Sequence, residues 1–94
     1  MAVLLSDRVR VPQGVLVSGL QEESVLLNLD TERYFGLDDV ETRMFTLLSS
    51  SDSIEAAYKS LLEEYEVEPE ELKNDLLTLA ESLVEQGLLE VSND

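Results

Sequence analysis

The neighbouring carboxylates Asp38-Asp39, Glu63-Glu64 and Glu70-Glu71 are groups suited by type to do chemistry. Paired carboxylates work as general acid and base when a cleft drives their pKa values apart. Nothing in the surrounding sequence suggests such a cleft, and residues adjacent along a helix do not face each other. The chain has no His and no Cys. An imidazole base, a thiol nucleophile, a zinc site and an iron–sulfur cluster therefore cannot be built. A magnesium or calcium site made of carboxylates is the metal chemistry that composition leaves open. We expect no catalytic residue, no cofactor and no metal.

Other functions are excluded by charge and length. Six Lys and Arg stand against 21 Asp and Glu, a formal net charge of -15 over 94 residues. That length allows one domain, expected to span 1–94 with an ordered core at about 8–91. A chain this acidic is repelled by the phosphates of nucleic acid and by anionic membrane surfaces. Without cysteine it is not a disulfide-stapled miniprotein. The apolar run Met1 to Leu5 is too short for a signal peptide, and no stretch approaches the roughly 18 apolar residues of a membrane span. The expected compartment is the cytoplasm. Disorder is rejected because the hydrophobic residues, 44% of the chain, fall in periodic blocks.

The period of those blocks changes near residue 38. Val9 and Val11 flank Arg10 before a Pro12-Gln13-Gly14 turn, and Val15-Leu16-Val17 stops at Ser18-Gly19. Ser24 to Leu29 and Arg33 to Leu37 are two apolar runs separated by Asp30-Thr31-Glu32, a β-hairpin pattern. This half predicts a small antiparallel sheet of about three strands. Asp38 with Glu41 forms a capping-box pattern ahead of Val40, Met44, Phe45, Leu47 and Leu48. Asp52 with Glu55 repeats it ahead of Ile54, Ala57, Tyr58, Leu61, Leu62 and Tyr65. A third helix is predicted from Pro69, with Glu70 and Glu71 near its positive end, to about Gln86, where Gly87 stops it. Leu88, Leu89 and Val91 form a last short extended piece.

Three strands followed by three helices make one α+β unit with a winged helix-turn-helix-like shape, the hairpin being the wing. Such shapes usually read DNA, but here the third helix carries Glu70, Glu71, Asp75, Glu81 and Glu85 against one Lys73. A recognition helix needs Arg or Lys, so nucleic acid is not the expected partner. The edge of a small sheet offers another use, because its unpaired N–H and C=O groups template an incoming peptide strand. Arg33 to Leu37 is the candidate edge. The third helix has two apolar lines, Leu72-Leu76-Leu79-Leu83 and Leu77-Ala80-Val84-Leu88. Either both are buried, or one is left over to line a groove beside the edge.

The stretch Val25-Leu26-Leu27-Asn28-Leu29-Asp30-Thr31-Glu32-Arg33-Tyr34-Phe35-Gly36-Leu37-Asp38, followed by the Val40-to-Leu48 helix, resembles the PqqD-like family. Ile54 to Leu61, Tyr65-Glu66-Val67 and Val84-Glu85-Gln86-Gly87-Leu88-Leu89 extend the likeness over roughly residues 8 to 91. Glu32 departs from it, standing where glycine is common in the hairpin turn. The resemblance implies a peptide-recognition domain that binds the leader of a ribosomally made precursor peptide and presents the core to a modifying enzyme. The leader adds to the sheet edge and rests on the third helix. Main-chain contacts then fall on Arg33, Tyr34, Phe35 and Leu37, and helix contacts on some of Asp75, Leu76, Leu79, Ser82 and Leu83. As a free-standing chain it resembles the adaptors of lasso-peptide and pyrroloquinoline-quinone pathways, with the lasso type favoured. The implied partners are the leader and a separate maturation enzyme, a leader protease or a radical enzyme.

One alternative is a carrier protein, since Ser51-Asp52-Ser53-Ile54 resembles a phosphopantetheine attachment site with Ser53 as acceptor. Asp52-Ser53 is equally a helix cap, and carriers are all-helical. The carboxylates serve chiefly as a solvated surface, and they suit a basic or neutral leader or a basic patch on the enzyme. The chain is expected to be a monomer or, through its exposed edge, a strand-swapped dimer.

Overall fold

The computed structural model describes residues 3–19 and 22–92. Met1 and Ala2, where the first apolar run starts, lie outside the described residues. In chain order the elements are β1 (Arg8–Arg10), β2 (Val15–Ser18), β3 (Ser24–Asn28), β4 (Arg33–Leu37), α1 (Asp39–Ser50), α2 (Ile54–Glu64), α3 (Pro69–Glu85) and β5 (Glu90–Ser92). The fold is α+β and winged-helix-like: the three-stranded antiparallel sheet β2-β3-β4 is followed by three helices. The strand around Val9 does not join that sheet. β1 pairs instead with β5 in a separate antiparallel ribbon, Val9 opposite Val91. The tail of the chain therefore lies against β1 and not against β4.

Strand alternation divides the sheet into two faces. Ser24, Leu26 and Asn28 of β3 are buried, and their partners Leu37, Phe35 and Arg33 share that inner face. Leu16, Leu27 and Tyr34 form a row across the opposite face. The inner face meets the helices through Leu26, Leu37, Met44, Phe45, Leu48, Leu76 and Leu83, all buried.

Two polar ties fix how the sheet sits on the helices. The Ser24 and Thr42 hydroxyls, both buried, are 2.8 Å apart and join β3 to α1. The Asn28 Oδ1 accepts the Asp30 and Thr31 N–H groups and so shapes the hairpin turn. Its Nδ2 donates to the Gly87 carbonyl, 3.1 Å away, which anchors the hairpin to the end of α3. Gly87 has φ +73°, and an added Cβ would come within 2.9 Å of that Nδ2, so glycine is required there twice over.

The helix starts follow their capping signals, with one change. Asp38 caps α1 in a full capping box with Glu41. At α2 the cap is Ser53, not Asp52: the Ser53 Oγ accepts the Ala56 N–H at 3.1 Å, three residues on. Asp52 falls one residue too early to serve the helix that begins at Ile54. Arg43 of α1 and Glu64 of α2 form a two-pronged ion pair at 2.8 and 2.7 Å. The hydrogen bond from the guanidinium holds the Glu64 carboxyl below the usual carboxylate range and raises Arg43 in turn.

Glu32, the last residue of the hairpin turn, has φ +60°. That left-handed conformation costs a residue with a Cβ about 1–2 kcal/mol and glycine almost nothing. Glu32→Gly is therefore expected to stabilise the protein by about 0.5–1 kcal/mol, part of the relief being offset by glycine's larger unfolded-state entropy. Thermal denaturation checks this: the midpoint should rise by a few degrees, and a fall would show that the turn does not hold Glu32 in that conformation.

Candidate functional site

Among the described residues β4 has a sheet neighbour on one side only, β3. Part of its backbone N–H and C=O complement thus points away from the sheet, a template for a further strand. Beside this edge runs a groove with a volume of about 370 Å³. Phe35 of β4 forms one wall. Asp38, Val40, Glu41 and Met44 close one end from the start of α1, and Asp75, Thr78, Leu79 and Ser82 of α3 form the facing wall. A second hollow of about 380 Å³ shares Val40, Met44 and Asp75 and continues under the α2–α3 connection, past Tyr65, Val67 and Leu72.

The groove is built by local rules acting from three elements. The Asp38–Glu41 capping box starts α1 immediately after β4, which sets Val40 and Met44 against the end of the edge strand. On α3 the lining residues Asp75, Thr78, Leu79 and Ser82 are spaced three and four apart, hence one stripe of the helix. The interior is apolar, from Phe35, Val40, Met44 and Leu79. Among the described residues Asp38, Glu41 and Asp75 supply its charged groups, all negative. Asp38 and Glu41 are engaged with each other's backbone N–H in the capping box. A guest with apolar side chains and neutral or basic flanks matches this lining.

The expected site residues divide into three groups. Arg33, Tyr34, Phe35 and Leu37 all lie on the open strand. Their side chains alternate: Phe35 lines the groove, Leu37 is buried at 3% exposure, and Tyr34, 77% exposed, points to the other face of the sheet. Alternate residues of β4 turn their N–H and C=O outward, and among Tyr34, Phe35 and Leu37 only Phe35 offers a guest its side chain. On α3, Asp75, Leu79 and Ser82 line the groove. Leu76 and Leu83 do not: both are fully buried in the core. They share a line with Leu72 and Leu79 on the helical wheel, but that line faces the core.

Neither apolar line of α3 is left over. The first is buried from Leu72 to Leu83, and the second packs on the same core through Leu77, Ala80, Val84 and Leu88. Leu79, on the first line, also borders the groove, and the helix's polar shoulder at Asp75, Thr78 and Ser82 supplies the rest of its lining. Thr78, Val40, Glu41, Met44 and Asp38 were not anticipated. Thr78 has a usable signal, three residues from Asp75 and four from Ser82, whereas Val40 and Met44, four apart on α1, signal a helix face but not that it meets the edge of β4.

Ser53 does not present itself as a modification site. It is half-buried and its hydroxyl accepts the capping N–H of α2, in a chain whose described residues up to Leu37 are largely sheet and turn. Among the described residues no three His, Cys, Asp or Glu cluster to hold a metal ion, and no helix is long and apolar enough to cross a membrane.

Comparison with known proteins adds to this geometry. The family model of coenzyme PQQ synthesis protein D (PqqD) matches residues 23–89. No curated protein matches. Among solved structures, TbiB1 in complex with the TbiA(beta) leader peptide is similar at a TM-score of 0.80 and 32% identity, over 90% of this chain and 99% of that one. A lasso peptide synthetase B1 complexed with the leader peptide is similar at a TM-score of 0.77 and 27% identity, over 87% and 96%.

Proposed function

The chain belongs to the PqqD family, and from that premise we propose that it is the leader-binding adaptor of a lasso-peptide pathway. It binds the leader of a ribosomally made precursor and works with a separate maturation enzyme, for which a leader-cleaving protease is the favoured identity. It contributes no bond-making step of its own. The pairs Asp38-Asp39, Glu63-Glu64 and Glu70-Glu71 lie on helices or at a helix cap, and the chain has neither imidazole nor thiol. Its work is to raise the local concentration of the precursor at the enzyme, an effective-concentration effect.

The observation that carries this reading is the open edge of β4 with an apolar groove beside it. The leader adds to that edge as a strand, with main-chain hydrogen bonds to residues 33–37. Alternate side chains then enter the groove between Phe35 and the Asp75-Thr78-Leu79-Ser82 stripe. Hydrogen bonds to the backbone supply affinity without sequence, and the groove supplies selection.

The test is a set of leader peptides, each N-methylated at one backbone position across the bound segment. In a strand only every second N–H faces a given neighbour. Affinity measured by titration is expected to fall about tenfold or more at alternate positions, each losing a hydrogen bond of about 1 kcal/mol and gaining a clash. The intervening positions should change little. A flat profile across the segment would rule out strand addition.

A further inference from the structure

The groove leaves one face of the sheet unexplained. Leu16, Leu27 and Tyr34 are cross-strand neighbours on the face turned away from the helices, and Ser18, Val25 and Gly36 form the next row. Leu16 is 54%, Val25 41% and Tyr34 77% exposed. All six residues are uncharged, in a chain of which 29% is charged. A sheet face that only met water would be expected to carry polar side chains. Four exposed carboxylates flank it in sequence, Glu22 and Glu23 before β3 and Asp30 and Glu32 in the hairpin.

We propose that this outer face is the surface on which the maturation enzyme docks, through an apolar patch bordered by Lys and Arg. The inference rests on the adaptor reading above. Two observations select this occupant. The first is charge. A second copy of the chain would bring its own Glu22, Glu23, Asp30 and Glu32 and a net charge of -15 against the same carboxylates, whereas a patch bordered by basic residues would complement them. The second is continuity with the peptide site. Tyr34 and Gly36 belong to the edge strand itself, and a guest strand paired to β4 turns every second side chain onto this same face. The enzyme thereby meets a surface made partly of adaptor and partly of leader, which favours the loaded adaptor over the empty one. Tyr34 is the natural anchor, a large amphipathic ring at the seam between the two.

Leu16→Glu and Val25→Lys test this, one at a time, in the full chain. Leu16 lies on β2, three strand spacings or about 14 Å from a guest on β4, and both side chains point away from the groove. Leader affinity is measured first by titration, with no enzyme present. The rate at which the partner leader-cleaving protease processes its precursor is then measured with each variant. Leader affinity should stay within twofold of wild type and the melting curve unchanged, while acceleration of cleavage falls at least tenfold for both variants. Either sign of charge should be damaging, because an apolar contact buries it unpaired. Full acceleration by both variants would overturn the proposal. So would a sedimentation experiment in which the wild type is a dimer that Leu16→Glu separates while cleavage stays fast, since the face would then join two copies. A wild type that binds no leader removes the premise, and the first titration alone detects it.

Discussion

Thr78→Trp is expected to weaken leader binding about 100-fold or more, equivalent to about 2.7 kcal/mol, with little change in thermal stability. Thr78 is exposed on α3 and lines the groove opposite Phe35. An indole there would occupy a large part of a channel of about 370 Å³ and close it to the side chains of a guest strand. Substitution of an exposed helix residue away from caps and core normally changes stability by no more than about 0.5 kcal/mol. The complementary change, Phe35→Ala, removes apolar surface instead of blocking access. Fully burying a phenylalanine side chain is worth about 1.5–3 kcal/mol, so the loss for half-buried Phe35 should be nearer tenfold. Titration of a fluorescently labelled leader, with a melting curve for each variant, checks both. Affinity within threefold of wild type for Thr78→Trp would mean that the leader does not use this groove.

Leu76→Ala should produce the opposite pattern. Leu76 is fully buried between α3 and the core. Truncating such a leucine typically costs about 2–5 kcal/mol, a large share of the roughly 5–15 kcal/mol that holds a domain folded. For a chain of this size the midpoint of thermal unfolding should drop on the order of 10–25 °C. Well below that midpoint, leader affinity should remain within about threefold, because the side chain never reaches the groove. Loss of affinity with an unchanged melting curve would show that Leu76 faces the guest after all. Two residues two positions apart on one helix, Leu76 and Thr78, thus separate folding from binding.

Much of the architecture is legible in local pattern. The hairpin follows from two apolar runs around a polar connection, and Asn28 completes the turn by accepting the Asp30 and Thr31 N–H groups. Asp38 with Glu41, and Pro69 with Gly87, bracket helices whose ends lie where those residues put them. These signals are legible because each depends on atoms within a few residues. Charge is legible for a related reason: a net -15 acts on every partner whatever the fold.

The site was legible only in part, and α3 shows why. Its two apolar lines report which residues leave water. They do not report what each line meets, because that depends on the angle at which α3 crosses the sheet and α1. Both lines pack on the core, and of them only Leu79 also borders the groove, whose remaining α3 lining is the polar shoulder at Asp75, Thr78 and Ser82.

The sequence by itself determined the elements, the caps of α1 and α3, the acidic surface and the existence of an edge strand at 33–37. The tertiary structure alone decided what borders that edge. β5 pairs with β1, 80 residues away in the chain, so that among the described residues β4, like β2, has a sheet neighbour on one side only. Val40 and Met44 reach the groove because α1 folds back beside β4. Strand pairing and helix docking join residues far apart in sequence, and their choice is settled by which arrangement buries the most apolar surface with its polar groups satisfied.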